Sequence, residues 1–131
     1  MFDPIKSHFG VHADALPLRE QRMKLIASNL ANVDTPGYQA RDLDFDAALN
    51  AASGKPGPMQ TTHERHLSDA IAVGAAPFEI TRQAAQPSLD GNTVDPDMER
   101  AAYGRAALEY RASLSFVESK VRSMLTAITG Q

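Results

Sequence analysis

Cysteine and tryptophan are absent from the 131 residues, and the aromatic complement is three tyrosines and five phenylalanines. Without cysteine there is no disulfide framework and no thiolate metal site, which leaves the redox compartment open. Hydrophobic residues make up 43% of the chain, but many of them are alanine. Small side chains each bury little area, so a thick self-contained core is not expected. A basic excess is also missing: 13 Lys and Arg against 16 Asp and Glu leave a net charge of −3. That balance lacks the electrostatic footprint of a nucleic-acid binder. No apolar run approaches the roughly 20 residues of a membrane helix, so direct membrane insertion is not expected. Residues 1–10 carry Asp3, Pro4 and His8 where the apolar heart of a leader would sit. The expectation is a route out of the cytosol, if the chain leaves it, that needs no cleaved signal peptide.

What is present divides into three segments. Residues 1–34 read as helix. Ile5, Phe9, His12, Leu16, Arg19, Met23, Ile26, Leu30 and Val33 alternate in steps of four and three, the stripe of a coiled-coil seam with two polar interruptions. Pro17 disturbs this pattern, since a proline inside a helix removes a backbone bond and crowds the preceding turn. A kink near residues 13–17, or a helix beginning there with Pro17 in its first turn, is expected. Pro36 and Gly37 then suit the central positions of a type II turn, so the chain should bend sharply after the helix.

Residues 35–94 are irregular, with five of the eight prolines and five of the eight glycines. A short helix over 44–52 capped by Asp44, a short strand at Phe78-Glu79-Ile80-Thr81 and a turn at Asp90-Gly91-Asn92, a candidate hairpin tip, are its expected pieces. Residues 53–58 are a loop by composition.

Residues 95–131 make the clearest element. Asp95 fits an N-cap, Pro96 the first helical position, Asp97 and Glu99 the acidic first turn, and Gly130 the stop, with Lys120 and Arg122 late in the helix. Tyr103, Ala107, Tyr110, Leu114, Val117, Val121, Met124 and Ile128 follow a 4-3-4-3-4-3-4 spacing without a break. Glu118 and Arg122 are placed to form an i,i+4 pair.

The expected fold is therefore mainly α. Long terminal helices pack as a coiled-coil-like pair, antiparallel or crossing, around an irregular middle that holds short helix and strand pieces. An isolated helix of this length is marginal in water, and its larger stripe residues gain about 1.5–3 kcal/mol each only when covered. The two stripes (Met23, Ile26 and Leu30 on one helix, the eight residues from Tyr103 to Ile128 on the other) form the expected interface. A two-helix pair leaves Leu108, Phe116 and Leu125 for other subunits.

Signals for chemistry are weak. His8 and His12 sit one helical turn apart and His63 and His66 form a second close pair, but neither has an evident third ligand. No HExxH, GxSxG, Walker or GxGxxG pattern occurs, and no two carboxylates stand out as an acid/base pair. No catalytic residue, no metal and no cofactor is expected.

The segment Ala27-Ser28-Asn29-Leu30-Ala31-Asn32-Val33-Asp34-Thr35-Pro36-Gly37-Tyr38 resembles the N-terminal signature of the flagellar axial proteins, the rod, hook and hook-associated group. Gln39-Ala40-Arg41-Asp42-Leu43-Asp44-Phe45, Thr62-His63-Glu64-Arg65-His66-Leu67 and Leu89-Asp90-Gly91-Asn92-Thr93-Val94-Asp95 are similar to its proximal rod subfamily. The resemblance implies a structural subunit of the basal-body rod, in the periplasmic space, linking the base ring to the distal rod and hook. It implies export by the flagellar type III apparatus, and as partners further copies, other rod proteins, the rod-base adaptor and the base-ring protein. In that frame Ser28, Asn29, Leu30, Asn32, Thr35, Pro36, Gly37 and Tyr38 form an assembly signature: the asparagines bond backbone near the helix end, Pro36-Gly37 sets the exit angle and Tyr38 anchors it. The competing readings are a different rod subunit, a coiled-coil adaptor of a related type III secretion system, and a small hydrolase acting on the cell wall.

Overall fold

The computed structural model describes residues 4–53, 78–84 and 88–130. Thr62-Leu67, with His63 and His66, and nearly all of the 53–58 loop lie outside them. Element order is α1 (Pro4–Ala31), β1 (Arg41–Leu43), α2 (Phe45–Ala52), β2 (Glu79–Thr81) and α3 (Pro96–Thr129).

Helices α1 and α3 form an antiparallel hairpin. His12 stacks on Phe116 with ring centroids 4.6 Å apart, Arg19 bonds Glu109 at 2.8 Å, and Asn29 bonds Glu99 at 3.2 Å. In each of these three pairs the residue numbers add to 128, so one register holds along the hairpin. The break in α1 falls at Gly10 (φ 64, ψ −163), not near Pro17. Glycine reaches that backbone region without the Cβ penalty. Pro17 stays inside the helix on its exposed side, where the missing N–H is its main local cost.

Asp95 caps α3 by accepting the N–H groups of Asp97 and Met98, Pro96 opens the helix, and Gly130 closes it in the left-handed conformation. Lys120 and Arg122 do not reach the last turn, and Glu118 makes no ion pair with Arg122. Asp44 caps α2 through the Ala47 N–H. Strands β1 and β2 are antiparallel, with Asp42 opposite Ile80. The pairing extends through Asp44 N–H to Phe78 O and Arg82 N–H to Ala40 O.

A small apolar cluster joins the middle segment to α1. Leu25, Leu43 and Ala48 are buried, with Leu18, Phe45 and Phe78 packed against them. The Arg19 guanidinium lies over the Phe45 ring at 5.1 Å. Ile26 and Asn29 are the largest fully buried side chains, so the core is thin and partly polar.

Candidate functional site: an interlocked helix end and an uncovered stripe

The end of α1 is finished by residues far along the chain. The last carbonyls of a helix have no partner inside it. In the turn just beyond Ala31, Asn92 donates its amide to the carbonyls of Asn32 (3.0 Å), Val33 (2.8 Å) and Thr35 (2.9 Å). Its own carbonyl accepts from Val94 N–H at 2.8 Å, so the amide is fully engaged. Asn32 turns back to Ser28 O at 2.8 Å and accepts from the Thr35 hydroxyl.

Pro36 and Gly37 form the turn, with Gly37 at φ 72 and Tyr38 N–H bonded to Thr35 O. The chain then runs beside 90–93: Gly37 N–H to Asp90 O, Thr93 N–H to Tyr38 O, and Ala40 N–H to the Thr93 hydroxyl. Asp90-Gly91-Asn92 is thus a turn that docks on the signature rather than the tip of a hairpin between its own flanks. A Cβ on Gly91 would meet the Gly37 Cα at 3.7 Å. The Asn92 N–H donates to the Asp90 carboxylate at 3.1 Å and, with the neighbouring Ser88 hydroxyl, holds it below its ordinary value.

One turn deeper, Asn29 is 0% exposed. Its amide donates to Arg41 O (2.8 Å) and Glu99 (3.2 Å), and its carbonyl accepts Arg41 N–H (3.0 Å) and the Tyr38 hydroxyl (3.3 Å). Tyr38 also meets the Ser28 hydroxyl. Asparagine is the residue that fits, since it offers two donors and one acceptor oxygen from a short side chain. An aspartate would oppose both Glu99 and the Arg41 carbonyl.

Glu99, 2% exposed, is held by Arg82 as well. Arg82 approaches Asp42 at 3.9 Å, and Asp42 grips Arg22 through both oxygens at 3.0 and 3.2 Å. The Asp42 carboxylate raises the Arg22 pKa. The result is an alternating chain Arg22–Asp42–Arg82–Glu99–Asn29 that ties α1, β1, the stretch after β2 and α3 together. A buried charge is tolerable only when paired and hydrogen-bonded in this way.

The helix stripe lies elsewhere. The buried residues of α3 are Glu99, Ala106 and Ser113, themselves seven apart and small or polar. Ala107, Tyr110, Val117 and Met124 are half-buried, while Tyr103, Leu114, Val121 and Ile128 are exposed, Ile128 at 80%. On α1, Ile26 is buried, and Met23 and Leu30 are half-buried. Met23, Tyr103 and Tyr110 line a groove of about 310 Å³ between the helices. Leu108, Phe116 and Leu125 are exposed.

Sequence reasoning missed Asn92, Glu99, Arg82, Asp42 and Arg22 as site residues. The one local hint was Asn92, in a turn motif similar to the rod subfamily; the arginine–carboxylate chain joins residues up to 77 positions apart and has no local signature. Among the described residues no group of three His, Cys, Asp or Glu could hold a metal ion, and no helix is long and apolar enough to cross a membrane.

Residues 9–39 match the family described as flagella basal body rod protein. The chain is similar to the flagellar basal body rod protein FlgB of Cereibacter sphaeroides, 42% identical with 96% of this chain and 97% of that protein covered. It is similar to FlgB of Proteus mirabilis (39% identical, 98% of each chain) and of Salmonella typhimurium (37%, 99% of each).

Proposed function

We propose, from the premise that this chain belongs to the family of the flagellar basal body rod protein FlgB and is a structural subunit of the flagellar rod, that it assembles through its terminal helices and passes torque from the base ring to the distal rod and hook. Its neighbours in this reading are further copies, other rod proteins, the rod-base adaptor and the base-ring protein. The flagellar type III export apparatus delivers it, uncleaved, to the rod in the periplasmic space. Neither catalysis nor a cofactor has a part. Residues 1–34 and 95–131 serve as the packing arms, and 35–94 as the segment that sets their geometry.

The observation that carries the reading is the outward stripe of α3. The hairpin encloses Glu99, Ala106 and Ser113 and leaves Tyr103, Leu114, Val121 and Ile128 facing water. Covering side chains of this size gains about 1.5–3 kcal/mol each, which several together turn into a stable contact. The interlocked signature supports the reading in a second way: it fixes the angle between α1 and the chain that leaves it, so the arms are presented in one geometry.

Val117→Asp and Leu114→Asp, each as the sole copy in a motile strain, test this. Export and the folded helix content of the purified chain should persist, while rods fail to form and swarming stops. Normal rods from both variants would overturn the reading.

A further inference from the structure

On the other flank of α3, away from the Met23–Tyr103–Tyr110 groove, lies a second groove of about 270 Å³. Met98, Ala101 and Ala102 give it an apolar floor, and Arg22, Arg82 and Arg105 line its walls. Glu109 also borders it but is held by Arg19 at 2.8 Å. Arg22 is committed to Asp42. Arg82 is held by Glu99 and turns its buried Nε towards Asp42 at 3.9 Å, whereas Arg105 is exposed and forms no ion pair with a described residue. A groove with an apolar floor and one uncommitted guanidinium fits one occupant well, an apolar helix face carrying a single carboxylate.

The far end of α3 is such a face. Leu114, Glu118, Val121 and Leu125 are spaced 4-3-4 and share one side of the helix. Leu114, Val121 and Leu125 are 36%, 48% and 59% exposed, and Glu118 is exposed with no ion-pair partner among the described residues. The hairpin register sets Glu118 opposite Gly10, where α1 breaks, so continuous helical cover ends there.

We propose that the groove of one copy receives the far end of α3 from a second copy, with Glu118 meeting Arg105 and the neighbouring leucine and valine side chains lying on Met98, Ala101 and Ala102. The inference rests on the assembly reading above and names the contact. Groove and ridge are different patches of one molecule, so the contact is head-to-tail and repeats into a ring or an open helical array rather than closing as a symmetric dimer.

Charge exchange tests it in cells that carry the chain as the sole copy. Arg105→Glu and Glu118→Arg alone should each abolish swarming, and the double variant Arg105→Glu/Glu118→Arg should restore it. Both side chains are exposed, so circular dichroism of the purified variants should match the parent. Unimpaired single variants, or defective singles that the double variant does not rescue, overturn the contact. Because the chain lacks cysteine, a second readout is direct: full-length Ala101→Cys and Leu125→Cys chains, mixed and oxidised, should give the mixed disulfide about tenfold over either self-pair. Self-pairs at equal yield, or no mixed product, also overturn it. Val117 lies outside this contact, so its aspartate variant separates the two ideas. Blocked rods in Val117→Asp with no effect of the charge exchange would remove the contact alone; intact rods from both Val117→Asp and Leu114→Asp would remove the broader reading.

Discussion

The two ends of the helical hairpin are built on opposite terms. At the end where α1 stops and α3 starts, polar groups are enclosed and nearly all are matched: Asn29 and Glu99 between the helices, Asn92 over three carbonyls, Arg82 bridging towards Asp42. At the other end, apolar groups are open: Val121, Leu125 and Ile128 project from α3 beyond the level of the Gly10 break. The contrast teaches which task each chemistry performs here. Directional bonds accept one register and reject a helix slipped by a turn, because every slipped state strands a buried polar group. Apolar contact is less particular about partner and register, and the far end of α3 leaves Val121, Leu125 and Ile128 exposed.

Substitutions should break this contrast most at the matched end. Asn29→Ala strands the Arg41 N–H and carbonyl and half of the Glu99 carboxylate, and should cost about 3 kcal/mol, seen as a lower midpoint in urea unfolding. Gly37→Ala adds a Cβ in open space but at φ 72, so only backbone strain acts; a loss of about 1 kcal/mol is expected by the same measurement. Asp90 should sharpen the comparison with pH. Its carboxylate is held below the ordinary 3.8 by Asn92 and Ser88. Its contribution is therefore present above the unfolded value and fades as pH falls through the folded one. Thermal melts of Asp90→Asn should be flatter than those of the parent as pH drops below 3.8, and the difference should be small, because the group is exposed. At the open end, Val121→Ser should shift the unfolding midpoint by less than about 0.5 kcal/mol. A large destabilisation there would show that this face is covered within the molecule.

Local rules made the element ends legible. The Asp95-Pro96 start, the Gly130 stop, the Asp44 cap and the Pro36-Gly37 turn each depend on a residue and its immediate neighbours, which a sequence displays. The break in α1 misled because two residues could supply it; proline announces itself, but Gly10 yields at lower cost and Pro17 rides on an exposed face. The 3.5-residue period of α3 was plain to see, yet period alone does not say which of two adjacent heptad lines faces α1. The line that does, Glu99, Ala106 and Ser113, carries almost no hydrophobic signal. Small side chains let the helices approach, and the buried acid is explained only by Arg82 and Asn29, from distant parts of the chain. The functional residues that escaped the sequence reading are those whose partners are set by the fold.

Asn92 has a consequence for the order in which the molecule takes shape. The stop of its first helix is written at residues 32–35 but sealed by a side chain some 57 residues later. Until that side chain arrives, the Val33 carbonyl just past α1 has only water to bond, and those of Asn32 and Thr35 keep a single local backbone partner each. The tip of the first helix is thus completed only once a residue from the last third of the chain has folded back onto it.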